Sequence, residues 1–112
     1  MIMGLTKTAI FNAEINEVSA FAKAIGHPAR VAIIQHLLNR ETCVCGDLVE
    51  EIGLAQATIS QHLKALKEIG IIKGTVDGAS VCYCMDMQRW NYLRSQLESQ
   101  LLGIEHCSVD CC

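Results

Sequence analysis

Seven cysteines in 112 residues carry the chemistry of this chain, because they cluster. Cys43 and Cys45 form one pair spaced two apart, Cys82 and Cys84 form a second, and Cys107, Cys111 and Cys112 crowd together. Thiolates are soft, polarisable donors that favour thiophilic ions. Trivalent arsenic or antimony is satisfied by three sulfurs in a pyramid, whereas cadmium, lead or zinc usually takes a fourth ligand. The same thiols can instead be oxidised, so ion capture and redox sensing are the two chemistries the pattern admits. Cys43-Val44-Cys45 and the trio Cys107, Cys111 and Cys112 are the candidate ligands. Cys82 and Cys84 share one face of a strand, with Val81, Tyr83 and Met85 on the other, and read as buried packing.

Composition limits what can position these thiols. The length suits one compact domain with a modest core and is small for an enzyme with a deep cleft. Half the residues are apolar, with one proline and few aromatics, which points to a helix-dominated core and away from disorder. Met1 to Asn12 lacks a basic stretch followed by an apolar one, so it does not read as a secretory signal. No apolar run approaches the ~20 residues that span a bilayer. The expected location is therefore the cytoplasm, where clustered thiols serve metals or redox sensing rather than a structural disulfide framework.

The net charge of −3 argues against nucleic acid at first sight. Its distribution is less adverse. Between Gln61 and Arg94 five basic residues (Lys64, Lys67, Lys73, Arg89, Arg94) stand against three acids (Glu68, Asp77, Asp86). Six of the nine other acids gather at Glu14, Glu17, Glu41, Asp47, Glu50 and Glu51, so a locally positive face is available to a polyanion.

Periodicity then supplies the elements. Ile15, Val18, Phe21, Ala22 and Ile25 predict a first helix ending at Gly26. Pro28 opens a second, where its missing N–H is harmless, with Val31, Ile34, Leu37 and Leu38 as its apolar stripe. Asp47 to Ile52 forms a short third helix, Gly53-Leu54 a turn, and Ala55 to Ile69 a fourth helix stopped by Gly70. Helix, tight glycine turn, helix is a helix-turn-helix. Two strands follow, Ile71 to Val76 and Ser80 to Met85, with Asp77-Gly78 as the turn signal between them. A last helix, Met87 to Leu102, turns Trp90, Leu93, Leu97 and Leu101 to one side.

The expected architecture is mainly α with a β-hairpin wing, in the order ααααββα. Residues 1–102 form the winged helix-turn-helix and 103–112 a cysteine-rich tail. The apolar stripes of the first and last helices exceed what the central unit covers, so a two-fold homodimer through them is expected.

Ala24-Ile25-Gly26-His27-Pro28-Ala29-Arg30, followed by Gln56-Ala57-Thr58-Ile59-Ser60-Gln61-His62-Leu63-Lys64-Ala65-Leu66, closely resembles the ArsR/SmtB family of winged-helix repressors. The resemblance covers roughly residues 12 to 102. It implies a dimeric repressor that binds double-stranded operator DNA and leaves it when an inducer binds. On the matching positions Gln56, Thr58, Ser60, Gln61 and Lys64 would face the major groove, with Lys64 and Lys67 on phosphates and Lys73 at the wing. Short hydroxyl and amide side chains at a helix start suit base edges, and lysines suit phosphates. His62 shares a face with Ile59 and Leu66 and reads as a packed, hydrogen-bonded core histidine. Ala55 departs from the family, which usually places serine or a similar N-cap there.

Branches of the family differ in their ligand sites. One binds zinc between the last helices through Asp, His and Glu. Here that helix offers Gln88, Arg89, Asn91 and Gln96, so the zinc site is effectively absent. The arsenic, antimony, cadmium and lead branches resemble this chain in carrying Cys-Val-Cys before the third helix. This implies As(III) or Sb(III) as inducer, with Cd or Pb as alternatives and no ion required for folding. The arsenic branch has a third cysteine on the short helix, where Leu48 and Val49 stand here, and Gly46 shifts the pair by one residue. The third sulfur is therefore expected from the tail of either subunit, unless Cys107, Cys111 and Cys112 hold the ion themselves. A thiol-redox or persulfide-sensing repressor is the rival reading. An arsenate reductase would require a backbone anion cradle beside a nucleophilic cysteine, and the sequence has no such loop.

Overall fold

Asn12 starts the first helix, α1 (Ala13–Ile25), by accepting the Ile15 N–H on its side-chain oxygen at 2.8 Å. Glu14 in the first turn and Lys23 in the last both suit the helix dipole. The computed structural model describes residues 10–102 apart from Asp47 and Ala79, and the side chains of Cys45, Asp77 and Ser80 are not described. Val18, Phe21 and Ala24 form the buried face of α1, while Ile15 is 45% exposed.

After Gly26, His27 caps α2 (Pro28–Leu38), its Nδ1 accepting the Ala29 N–H at 3.2 Å, with Pro28 in the first turn as expected. The buried stripe of α2 is Ile33, Ile34 and Leu37. Val31 and Leu38, expected in that stripe, are 43% and 40% exposed. Seven residues apart, they share a flank on the far side of the helix from the line joining Ile33 and Leu37.

The chain then forms an element that periodicity did not announce. Val44–Cys45 is a short strand, β1, and it pairs antiparallel with the wing: Val44 opposite Tyr83 and Cys45 opposite Cys82. Two residues are too few to show alternation. The strand exists because the outer wing strand would otherwise present an open edge.

A short α3 (Leu48–Ile52) and Gly53, at φ 83, lead to α4 (Gln56–Glu68). Glycine is the residue that enters this left-handed region without strain. The N-cap of α4, Ala55, makes no side-chain cap bond. The C-terminus closes through Gly70 N–H to Lys67 O at 3.0 Å and Ile71 N–H to Leu66 O at 3.3 Å, a Schellman motif with Gly70 at φ 90.

The wing is β2 (Ile72–Asp77) and β3 (Ser80–Met85), paired from Ile72 opposite Met85 to Asp77 opposite Ser80. Asp77, half of the expected Asp77-Gly78 turn signal, thus belongs to β2 and pairs with Ser80. With β1 added, the sheet has the order β1-β3-β2. Asp86 caps α5 (Met87–Leu101) by accepting the Arg89 N–H at 3.1 Å. The architecture is the expected winged helix-turn-helix with one strand more than expected.

Phe21, Ile33, Ile59, Leu66, Ile71 and Leu93 are fully buried, one or more from each of α1, α2, α4, the α4–β2 link and α5. Each such side chain contributes about 1.5–3 kcal/mol relative to exposure. Phe21 and Trp90 meet edge to face at 5.6 Å and join α1 to α5. Of the expected α5 stripe Leu93 is buried, Trp90 and Leu97 are partly buried against the core, and Leu101 is 61% exposed. No helix among the described residues is long and apolar enough to cross a membrane.

Candidate nucleic-acid interface and the thiols beside it

The amphipathic pattern of α4 divides it into two faces. Ile59, His62, Leu63 and Leu66 are buried against the rest of the molecule. Gln56, Ser60, Gln61, Lys64 and Lys67 are exposed, and Thr58 is half-buried at the boundary. Gln56 Nε2 donates to Ser60 Oγ at 3.2 Å, which aligns two polar side chains one turn apart along the open face. Lys67 reaches back over β2, its Nζ beside Gly74, and Lys73 is exposed on that strand. Six of the seven residues assigned to DNA are therefore open to solvent on α4 or the adjoining wing strand.

A polar node holds the inner face. Arg30 Nε donates to His62 Nδ1 at 3.1 Å, and Arg30 Nη1 donates to Ala24 O at 3.2 Å. The His27 ring lies against His62 with centroids 4.5 Å apart. The end of α1, the start of α2 and the middle of α4 are thus tied through one guanidinium. His62 is 8% exposed and hydrogen-bonded, as its position between Ile59 and Leu66 implied. Burial, then His27, then Arg30 hold its pKa below the ordinary histidine value, so the ring stays neutral and can accept from Arg30. Sequence reasoning recognised these residues only as parts of a motif. Their mutual contact links positions 32 apart, which local spacing cannot reveal.

A second guanidinium braces the other end of α4. Arg89 Nε donates to Ile69 O at 3.1 Å, and Nη1 meets Glu17 Oε2 at 3.2 Å in a partly exposed ion pair. Such a pair contributes little alone, about 0–1 kcal/mol, but it fixes the register of α1, α4 and α5.

The thiols occupy the segment before the helix-turn-helix and the wing. Cys43 is joined to Cys84 in a disulfide, their Cα atoms 4.5 Å apart. Cys82 is also disulfide-bonded, and its partner in the strand register is Cys45. Cys43 is exposed, Cys84 half-buried, and Cys82 5% exposed. Cys82 is buried as the packing reading expected, whereas Cys84 is half-buried and bonded to Cys43, because β1 brings the two Cys-x-Cys pairs together. The missed signal was their equal spacing, since antiparallel strands place two such pairs side by side whenever they align. Cys107, Cys111 and Cys112 lie outside the described residues. Among the described side chains no set of three or more His, Cys, Asp or Glu stands ready to hold a metal.

Comparison with known proteins gives this geometry a context. Residues 27–73 match the family described as bacterial regulatory protein, arsR family. A biofilm growth-associated repressor of Xylella fastidiosa is 40% identical over 58 residues, which are 52% of this chain and 50% of that protein. The chain thus spans about half the length of that relative. A cadmium resistance transcriptional regulatory protein, CadC, of Listeria innocua is 35% identical over 78 residues, 69% of this chain and 65% of the relative. Among solved structures, the transcriptional repressor BigR from Xylella fastidiosa superposes with a TM-score of 0.60 at 27% identity, covering 85% of this chain and 95% of BigR.

Proposed function

We propose that this chain, whose residues 27–73 match the arsR family of bacterial regulatory proteins, is a DNA-binding transcriptional repressor whose operator release is controlled by its thiols. The observation that carries the reading is the division of α4. A buried apolar face anchors the helix, and Gln56, Ser60, Gln61 and Lys64 stand exposed on it.

In this reading Gln56, Thr58, Ser60 and Gln61 meet base edges, Lys64 and Lys67 meet phosphates, and Lys73 touches the backbone beside the wing. Two copies pair through α1 and α5, a role supported by exposed Ile15, Tyr92, Leu101 and Leu102. That pairing sets two recognition helices about 34 Å apart, one turn of the duplex. The inducer is a thiophilic ion held by Cys43 and Cys45. As(III) and Sb(III) are the candidates from the sequence, and Cd(II) or Pb(II) the alternatives. Support for an ion of this class is the softness of the donors, and one relative is named for cadmium resistance. Because β1 leads into α3 and α4, a ligand that grips its cysteines biases the helix-turn-helix.

A mobility-shift experiment tests the reading. The reduced chain retards a duplex selected from a random library, and arsenite, antimonite, cadmium or lead reverses the shift. No selected duplex, or no ion that reverses binding, defeats the proposal. The disulfide between Cys43 and Cys84 favours a second reading, a redox-controlled repressor. There a peroxide takes two protons and two electrons from the dithiol, giving one disulfide, an alcohol and water. Release by peroxide but by none of the ions supports this alternative.

A further inference from the structure

We propose that the reduced thiols of Cys43, Cys45, Cys82 and Cys84 form one tetrathiolate site for a soft divalent ion, joining β1 to the wing strand β3. The inference rests on the thiophilic-ion reading and deepens it by naming the ligands.

The two Cys-x-Cys pairs have equal spacing. Residues two apart on a strand share a face. Val44 is buried in the core and Tyr83 packs against that core, so positions 43, 45, 82 and 84 belong to the opposite face of the sheet. Antiparallel pairing puts Cys45 opposite Cys82, and Cys43 is 4.5 Å from Cys84 between Cα atoms. Bonding between Cys43 and Cys84 shows that these two sulfurs reach one another without moving an element. Cysteines at four such neighbouring backbone positions suit a tetrahedral ion with metal–sulfur bonds of ~2.3 Å. The tail is not needed.

The chemistry balances without a redox step once the thiols are reduced. Four S–H bonds break, four metal–sulfur bonds form, and four protons pass to solvent. Arsenite differs: three thiols replace its three hydroxyls as three waters, and one cysteine of the set stays free. Count therefore separates the ion classes.

The location also gives the site leverage on DNA. Four thiolates around a divalent ion carry a net charge of −2, and Lys73 is the register partner of Cys84 on β2. Negative charge appearing there weakens the attraction of the wing for phosphate. Val81 and Tyr83, which alternate with the wing cysteines, line one groove with Gln56 and Ser60 of α4. Clamping β3 to β1 thus acts on the wing and on the start of the recognition helix together.

The test uses the full chain reduced with a phosphine under anaerobic conditions and titrated with cadmium chloride. Thiolate-to-cadmium absorbance gives stoichiometry, and alkylation followed by mass spectrometry identifies the shielded cysteines. The expected result is one ion per chain with Cys43, Cys45, Cys82 and Cys84 all shielded, and three of them shielded by arsenite. Cys82→Ser with Cys84→Ser weakens cadmium on the order of 100-fold or more, and Cys107→Ser, Cys111→Ser, Cys112→Ser leaves it within about threefold. Alkylation of Cys82 and Cys84 at the ion-free rate in the wild-type chain overturns the site, and needs no variant to fold. DNA release measured on the same samples separates the two claims. Shielding of the four cysteines with DNA still bound keeps the site and defeats the inducer reading. Release with shielding confined to Cys43 and Cys45 overturns the four-thiol site and keeps the inducer reading.

Discussion

Replacing Arg30 with leucine removes the guanidinium that joins α1, α2 and α4 while keeping much of its aliphatic bulk. Two bonds are lost, to His62 Nδ1 at 3.1 Å and to Ala24 O at 3.2 Å. A hydrogen bond from a charged donor contributes about 1.5–3 kcal/mol, and a buried acceptor left unpaired costs about 1–3 kcal/mol. Arg30 is itself half-buried, so water partly compensates at Ala24 O, and the net loss is about 2–4 kcal/mol. For a domain near 100 residues that lowers Tm by roughly 10–20 °C. Thermal melting followed by circular dichroism measures it. The pH dependence adds a signature. The folded chain holds the His62 pKa below its ordinary value, so the unfolded chain takes up this proton first. The neutral-ring stability is present above about pH 6.5 and is lost as pH falls from there towards the depressed folded value. His62→Gln, which retains an acceptor for Arg30, removes that part of the acid loss. An Arg30→Leu protein melting within about 2 °C of wild type, or an unchanged acid profile in His62→Gln, would refute the node.

Other expectations follow from named contacts. Gln61→Ala weakens operator binding by about 1–3 kcal/mol and relaxes the preference at one base pair, read by anisotropy on substituted duplexes. Lys64→Ala weakens all duplexes alike and lowers the salt slope by about 1. Ala55→Ser supplies the cap oxygen that α4 lacks and raises stability by about 1 kcal/mol in urea unfolding. Leu66→Ala, at 0% exposure, destabilises by about 2–5 kcal/mol.

Much of the fold was legible because it is periodic. The stripes of α1 and α5, Pro28 after Gly26, Gly70 ending α4 and the hairpin strands all leave local traces. The exposed and buried faces of α4 were legible for the same reason. What escaped notice was tertiary. β1 has two residues and is defined only by the edge it meets, so the gathering of Cys43 and Cys45 beside Cys82 and Cys84 left one trace, the equal spacing of the two pairs. Arg30 and His62 belong to separate motifs, and only packing joins them. The α2 stripe was misplaced because its apolar residues nearly encircle the helix, leaving periodicity little to select.

The central claim is that thiols ahead of the helix-turn-helix govern DNA binding. Anisotropy of a labelled selected duplex with the reduced wild-type chain, titrated with cadmium and with arsenite, tests it beside the Cys43→Ser, Cys45→Ser variant. The account predicts that at least one ion weakens wild-type binding by about 5–150-fold, the usual range of allosteric coupling, and leaves the variant's affinity unchanged. Equal release from both proteins, or none from the wild type with either ion, contradicts it.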